Sequence, residues 1–231
     1  MKGIFVTGTD TGVGKTIITG LLARYLSENN FKVITQKWVQ TGCNDFSGSD
    51  VAAHLKLTGS QENMSKPYQK HMLSYVYKFT ASPHLAALLE NRRTVPCKIK
   101  RSYEFLSKKF DLVIVEGVGG ALVPYDKKNL VIDIAKELNL PVLVVAQNKL
   151  GAVNHTLLTI EALQKRKMKI LGIVFNDVKN ENRLILKDNP DIIQSLSRVR
   201  ILGILPWEEN IGRMYEMFIP IGRNIKKQIT I

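Results

Sequence analysis

The sequence has few cysteines and no long apolar run. It carries only Cys43 and Cys97 among 231 residues, which is typical of a reduced, cytoplasmic protein rather than a disulfide-built secreted one. No stretch approaches the run of about 18 apolar residues that a transmembrane helix needs, so we expect no membrane partner. The first apolar run begins at Ile4, and we also expect no signal peptide.

The sequence also lacks a concentrated block of one charge, although it is basic overall. Lys and Arg number 33 against 20 Asp and Glu, a net charge of +13, and such an excess can indicate nucleic-acid binding. The basic residues are scattered in short groups, however, without an aromatic stacking signature. This distribution favours a basic surface with small anionic ligands, and we expect no nucleic-acid partner.

The most informative stretch is a glycine-rich loop between a strand pattern and a helix pattern. An apolar run at residues 4–6 is followed by GTDTGVGKT at residues 8–16, and apolar residues then recur at helical spacing. Strand, glycine loop, Gly-Lys-Thr and helix together predict a phosphate-binding loop, in which backbone N–H groups and a helix N-terminus surround an anion. Lys15 would reach the outer phosphates, and the Thr16 hydroxyl would bind Mg²⁺.

Short aliphatic strand patterns alternate with helix patterns along the rest of the chain. Further strands are predicted at residues 33–37, 112–115, 142–146, 170–175 and 201–205. Helices are predicted at residues 51–57, 83–89, 98–108, 131–138, 153–163 and 182–197. Nearly all-apolar strands separated by helices predict an α/β fold, a mostly parallel β-sheet covered by helices on both faces. With no repeat or linker, residues 1–231 are predicted to form a single domain; residues 59–77 and the tail after Trp207 remain unassigned.

Polar residues at the carboxyl ends of the predicted strands are the candidate ligand contacts, because open parallel sheets bind ligands there. Glu116 ends the strand at 112–115 and precedes three glycines at 117, 119 and 120. A carboxylate in a chain with a phosphate loop suits the Mg²⁺ of a bound nucleotide. The glycines permit close approach to a ligand, and the alternative is a bare turn.

Lys37 and Asp50 have two readings each. Lys37 ends the second predicted strand, where it either lies beside the phosphate loop or closes the strand at the surface. Asp50 follows Ser49, a candidate cap, at a helix start, and an acid there either complements the helix dipole or binds a metal.

Three later loops also follow predicted strands. Residues 149–155 open a helix, a suitable place for an anion, although Asn154 could instead cap that helix. The pair at 176–177 and the turn at 206–208 could each hold a base or simply reverse the chain.

In combination these motifs resemble the dethiobiotin synthetase family. GTDTGVGKT, TASPH at 80–84, VEGVGG at 115–120, KLGAVNHTLLT at 149–159, FND at 175–177 and GILPW at 203–207 occur in that family's order and span most of the chain. The family's phosphate loop also has the additional residue found here, where Thr9 stands at the usual position of the first glycine. Trp38 departs from the family, in which a small residue or proline follows the active-site lysine, and this departure concerns the local shape of the pocket.

The resemblance implies a P-loop NTPase fold and an ATP-dependent, Mg²⁺-dependent ligase of biotin synthesis. The substrates would be 7,8-diaminopelargonic acid and CO₂, and the product a cyclic urea. The reaction would pass through a carbamate and a carbamic–phosphoric anhydride. The family is usually homodimeric, with the substrate bound between subunits.

The resemblance also implies a role for individual residues. The phosphates would contact Gly12, Val13, Gly14, Lys15 and Thr16, and Mg²⁺ would be bound by Thr16, Asp50 and Glu116. Lys37 and Lys15 would be catalytic. Further ATP contacts would come from Gly117, Val118, Gly119, Asn176, Asp177, Pro206, Trp207 and Glu208. The diamine would contact Thr11, Thr41, Leu150, Gly151, Val153 and Asn154.

The nearest alternative is an ATPase switch of the plasmid-partitioning or septum-site type, acting on DNA or a membrane. Such ATPases carry a signature lysine five positions before the loop lysine. That position is Asp10 in this chain, which favours the synthetase.

Overall fold

A computed structural model describes residues 2–59 and 65–229. The strands are β1 (Gly3–Gly8), β2 (Val33–Thr41), β3 (Leu73–Tyr77), β4 (Leu112–Gly120), β5 (Val142–Asn148), β6 (Ile170–Asp177) and β7 (Ile201–Leu205). The helices are α1 (Lys15–Glu28), α2 (Asp50–Thr58), α3 (Gln69–Met72), α4 (Pro83–Leu89), α5 (Pro96–Ser107), α6 (Val131–Glu137), α7 (Ala152–Lys165), α8 (Arg183–Ser197) and α9 (Ile211–Ile229). A 3₁₀ turn at Lys66–Tyr68 precedes α3.

The strands form one parallel sheet in the order β3-β2-β4-β1-β5-β6-β7. Both faces are covered, because the alternating side chains of β1 belong to two separate apolar clusters. Phe5 packs in one cluster with residues of α4, α5, α6 and α7, whereas Ile4 and Val6 pack in the other with α1 and α9. The predicted α/β architecture with helices on both faces is confirmed.

The segments that the sequence left unassigned contain an edge strand and a helix. Within residues 59–77, the described part includes β3, which pairs with β2; residues 60–64 lie outside the described residues. The tail contains α9, whose residues Tyr215, Phe218, Ile221 and Ile225 are buried against the sheet. In the described part of the chain, no helix is long and apolar enough to cross a membrane.

Two functional strands are longer than predicted. β2 continues from Lys37 to Thr41 and β4 continues from Glu116 to Gly120, so neither Lys37 nor Glu116 ends its strand. The added length comes from pairing, since β2 beyond Lys37 pairs with β3 and Gly120 pairs with Gly8 of β1. Lys37 and Glu116 are partners in the register between β2 and β4, and this register brings their side chains together.

Candidate active site

The glycine loop leaves the central strand β1 and ends at the first residue of α1. Gly12 and Gly14 have φ angles of 74° and 97°, in the left-handed region that glycine adopts without steric cost. Gly14 is the N-cap of α1, and no side chain caps this helix. The first backbone N–H groups of a helix lack partners within the helix, so this end of α1 suits an anion.

Asn176, at the end of β6, braces the loop. Its Nδ2 donates to the Val13 carbonyl oxygen at 3.3 Å. A Cβ atom on Gly14 would lie 2.0 Å from that nitrogen, so a side chain at this position would have to displace the Asn176 amide. The structure therefore places Asn176 beside the loop predicted to bind phosphates.

Lys15 is folded back against the loop. It is 6% exposed, and its Nζ donates to the carbonyl oxygen of Asp10 at 2.8 Å. Burial, assisted by the positive charge of Lys37, lowers the pKa of Lys15 to about 8. A bound phosphate would favour the charged form and reverse this shift.

A buried ionic cluster lies beside the loop. Lys37 Nζ is 2.7 Å from Glu116 Oε1 and 2.6 Å from Asp50 Oδ2, and it donates to the Gly117 carbonyl oxygen at 2.8 Å. Lys37 and Glu116 are 3% and 1% exposed. The cluster thus joins β2, β4 and the first residue of α2.

Both central members of the cluster are charged. Burial opposes the charge on Lys37, but the carboxylates of Glu116 and Asp50 outweigh it and raise the pKa of Lys37. Burial likewise opposes ionisation of Glu116, but Lys37 and His54 hold the pKa of Glu116 well below its usual range. Buried charges persist only when they are paired in this way.

The three residues predicted to bind Mg²⁺ meet in this cluster. Thr16 Oγ1 donates to Glu116 Oε1 at 3.1 Å, and Asp50 is joined to Glu116 through Lys37. Among residues 2–59 and 65–229, no group of three or more His, Cys, Asp or Glu side chains could hold a metal by itself. Mg²⁺ at nucleotides commonly takes one or two carboxylates together with phosphate oxygens, and this oxygen donor set fits such a site.

The start of α2 is fixed by two contacts. Ser49 Oγ accepts from the Ala52 N–H at 3.2 Å, which confirms the predicted cap. The Asp50 N–H donates to Gln40 Oε1 at 3.0 Å. Together these bonds hold the Asp50 carboxylate against β2.

His54 is a site residue that the sequence reasoning missed. Its Nε2 lies 2.6 Å from Glu116 Oε2, and the ring is fully buried. It follows Asp50 by four residues on α2, so both side chains lie on one face of the helix. That spacing beside a candidate metal ligand was the available signal.

Trp38 does not shape the pocket. It is 1% exposed, and its ring stacks on Phe5 at 5.2 Å between centroids. The indole Nε1 donates to Gln36 Oε1 at 3.0 Å. The large Trp38 side chain, which departs from the family pattern, is therefore packed in the apolar core on one face of the sheet.

We expect Trp38→Phe to reduce stability and to leave nucleotide affinity unchanged. The smaller ring loses the Gln36 hydrogen bond and some packing against Phe5, which should cost about 1–3 kcal/mol. Urea denaturation would measure this loss, and calorimetry would measure ADP affinity. Weakened ADP binding at unchanged stability would contradict the core position of Trp38.

The other candidate ATP contacts lie at the ends of β4, β6 and β7. Gly117, Val118 and Gly119 belong to β4, and Gly119 approaches the loop, since its Cβ position would be 3.4 Å from Thr11 Oγ1. The Asp177 carboxylate accepts from Asn148 Nδ2 at 2.9 Å, and burial raises the pKa of Asp177.

The turn after β7 is more open. Pro206 and Trp207 are exposed, and Lys179 Nζ lies 4.2 Å from the Trp207 ring centroid. Glu208 Oε1 accepts from the Asn210 N–H at 2.8 Å. β6 and β7 are neighbours, and Asn176 of β6 pairs with Leu205, the last residue of β7. The turn therefore begins next to Asn176.

The candidate diamine contacts fall in two places. Thr41 is the last residue of β2, paired with Tyr77, and lies on the same strand as Lys37. The second place is the start of α7, where Gly151 is the N-cap with a φ of 86° and no side chain caps the helix. The interpretation of Asn154 as a cap is therefore wrong, because Asn154 is the third residue of α7 and exposed.

The start of α7 is largely exposed. Leu150 is 77% exposed, and its N–H donates to Glu181 Oε2 at 3.1 Å. Val153 is partly exposed. A groove of about 320 Å³ passes between α7 and the phosphate loop. Its lining includes Thr9, Asp10, Leu122, His155 and Leu158.

Fold and site together define a phosphate-loop nucleotide-binding protein, and sequence comparison agrees. The family model described as an AAA domain matches residues 2–215. The chain is 38% identical to an ATP-dependent dethiobiotin synthetase of Haemophilus ducreyi, over 84% of this chain and 90% of that protein. It is 40% identical to the enzyme of Chlorobaculum tepidum, over 84% of this chain and 81% of that protein. The chain belongs to the ATP-dependent dethiobiotin synthetase family.

Solved structures share the fold at much lower sequence identity. The structure of pNOB8 ParA bound to nonspecific DNA superposes with a TM-score of 0.64, and the match covers 99% of this chain and 98% of that chain. Its sequence identity is 12%. This likeness concerns the fold alone.

Proposed function

We propose that the chain converts 7,8-diaminopelargonic acid, CO₂ and ATP into dethiobiotin, ADP and phosphate. Membership of the dethiobiotin synthetase family carries this proposal. Two lysines support it, Lys15 on the glycine loop and Lys37 in the ionic cluster beside it, since phosphoryl transfer depends mainly on positioning and charge stabilisation.

The reaction has three steps. One amine of the substrate attacks CO₂ and loses a proton, which gives a carbamate. A carbamate oxygen then attacks the γ-phosphorus, the bond to the bridging oxygen breaks, and ADP leaves. The second amine attacks the carbonyl carbon of the resulting anhydride, loses a proton and expels phosphate, which closes the urea ring.

Negative charge accumulates between carbamate and phosphates in each of these steps. Gly12, Val13 and Gly14 would surround the phosphates with the loop backbone. Lys15, now hydrogen-bonded to the loop, would turn to the outer phosphates. Lys37 would stabilise the charge that develops on the transferred phosphoryl group.

The residues present fit Mg²⁺, and we propose Thr16, Asp50 and Glu116 as its ligands. The fit rests on the convergence of one hydroxyl and two carboxylates beside the loop. When bound with ATP, Mg²⁺ would neutralise charge on the β- and γ-phosphates. Gly117, Val118 and Gly119 would approach the nucleotide, while Asn176, Asp177 and the Pro206–Glu208 turn would face the base.

The substrate carboxylate, several methylenes from the amines, needs a second anion site. We propose that Leu150, Gly151, Val153 and Asn154 of one subunit supply it to the active site of another, in a homodimer. Uncapped N–H groups at the start of α7 and the exposed Asn154 amide suit a carboxylate. Thr11 and Thr41 would contact the end of the diamine that reacts.

Asn154→Ala should raise the KM for the diamine several-fold and leave the KM for ATP nearly unchanged. The variant loses one amide donor to the distant carboxylate and no contact near the phosphates. Steady-state kinetics would measure both constants, with Glu161→Ala, an exposed change on the same helix, as the control. Parallel weakening of both substrates, or a loss of stability alone, would exclude this carboxylate site.

Substrate dependence of ATP turnover distinguishes the synthetase from an ATPase switch. We expect ADP release to require both the diamine and bicarbonate, and to be indifferent to duplex DNA and lipid vesicles. Stimulation by DNA or vesicles without the diamine would favour the switch instead.

Single-domain organisation over residues 1–231 and a cytoplasmic location remain predictions, the latter based on cysteine content.

A further inference from the structure

His54 makes one side-chain hydrogen bond in the described part of the chain, and this bond is to Glu116. Nε2 lies 2.6 Å from Glu116 Oε2, while the buried Nδ1 has no partner among the described residues. His54 is 0% exposed. A leucine would satisfy the packing of such a position without burying a polar ring, so the imidazole points to a requirement for the hydrogen bond.

The two oxygens of Glu116 have separate partners. Oε1 accepts from Thr16 Oγ1 and contacts Lys37 Nζ, whereas Oε2 contacts only His54 among the described side chains. An ionised carboxylate accepts and does not donate, so His54 Nε2 carries the hydrogen. This bond fixes the rotation of the carboxylate and keeps Oε1 directed toward Thr16 and the phosphate loop.

Helix α2 thereby holds the ionic cluster at two points. Asp50, its first residue, contacts Lys37, and His54, one turn later, contacts Glu116. Both contacts therefore depend on the position of α2. The start of α2 is fixed by the Ser49 cap and by the hydrogen bond from the Asp50 N–H to Gln40 Oε1.

We propose that His54 is a positioning residue that orients Glu116 for the Mg²⁺ of bound nucleotide. The proposal rests on the proposed function for the identity of the metal. His54 acts through Glu116 and does not itself contact the nucleotide. Hydrogen-bond partners of metal ligands commonly set metal affinity by about 10–100-fold.

The test compares His54→Leu with His54→Gln. Leucine keeps much of the volume and removes the donor, whereas the glutamine amide can place an N–H near the position of Nε2. Calorimetry would measure ADP affinity with Mg²⁺ and separately with EDTA, without diamine or bicarbonate. His71→Leu is the control, because His71 stacks on Phe105 outside the cluster.

We expect His54→Leu to weaken the Mg²⁺-dependent part of ADP binding by roughly tenfold or more, and to leave binding in EDTA unchanged. His54→Gln should restore most of the loss, and His71→Leu should match the wild type. In a Glu116→Gln background, His54→Leu should have little further effect, because residues that act through one contact are not additive.

Three results would overturn the proposal. These are unchanged Mg²⁺ dependence in His54→Leu, equal weakening in EDTA, and full additivity with Glu116→Gln. If His54→Leu does not fold, His54→Met, which also removes the donor, takes its place in both backgrounds: a loss of Mg²⁺-dependent binding only where Glu116 is present supports coupling, and equal losses in the two backgrounds exclude it. The assay uses ADP and metal alone, so a chain that failed to make dethiobiotin would refute the proposed reaction without deciding the role of His54.

Discussion

Lys37→Met should lower kcat about 100- to 1,000-fold, the range found when a preorganised donor to a developing charge is removed. Methionine preserves much of the length of the side chain and removes the ammonium group. ADP should still bind, because the glycine loop and Lys15 are unchanged. Single-turnover kinetics with saturating ATP, diamine and bicarbonate would measure the chemical step directly.

The same change should also reduce stability, for a separate reason. Lys37 contacts both Glu116 and Asp50, and removing one partner from a buried ion pair typically costs about 3–5 kcal/mol. Denaturation measures the loss of stability apart from the loss of turnover. The loss of stability should be smaller with Mg²⁺·ADP bound, because the bound cation can replace the lost charge of Lys37. Lys56→Met, at an exposed position of α2, is the control. Near-normal turnover in a folded Lys37→Met enzyme would remove Lys37 from the mechanism.

Glu116→Gln should move half-maximal Mg²⁺ activation to a concentration at least tenfold higher. The amide keeps the size of the side chain and loses the charge that both the metal and Lys37 use. Glu116→Asp keeps the charge on a shorter side chain and should lie between glutamine and wild type.

Mg²⁺ titrations of the initial rate would measure this shift, with Asp111→Asn as the control. Asp111 is an exposed carboxylate that accepts from the Lys32 N–H, away from the cluster. A Mg²⁺ titration of Glu116→Gln that superposes on the wild type would show that Glu116 has no role in metal binding.

The glycine loop and the alternation of elements could be predicted from the sequence because both are local patterns. Edge strand β3 could not, since its five residues follow a segment without clear periodicity and gain their structure by pairing with β2. β2 was predicted to end at Lys37 because its residues beyond Lys37 pair with β3, which had not been predicted.

The meeting of Lys37 and Glu116 depends on a strand register between positions 79 residues apart. The strand pattern left Lys37 either beside the loop or at the surface, only the family resemblance assigned it to the active site, and neither could give its contact with Glu116. The core position of Trp38 also could not be predicted from the sequence, because it depends on stacking against Phe5 of β1. His54 was overlooked because a histidine within a short helix carries no motif of its own.

The most direct test of the proposed function follows the carbon of labelled bicarbonate. The purified chain, incubated with ¹³C-bicarbonate, ATP, Mg²⁺ and 7,8-diaminopelargonic acid, should form a product whose ureido carbon is labelled, with one ADP released for each product molecule. Mass spectrometry and carbon NMR would identify that carbon, and omission of ATP should abolish it. ATP hydrolysis without labelled product, under conditions where a related synthetase makes dethiobiotin, would contradict the proposed reaction.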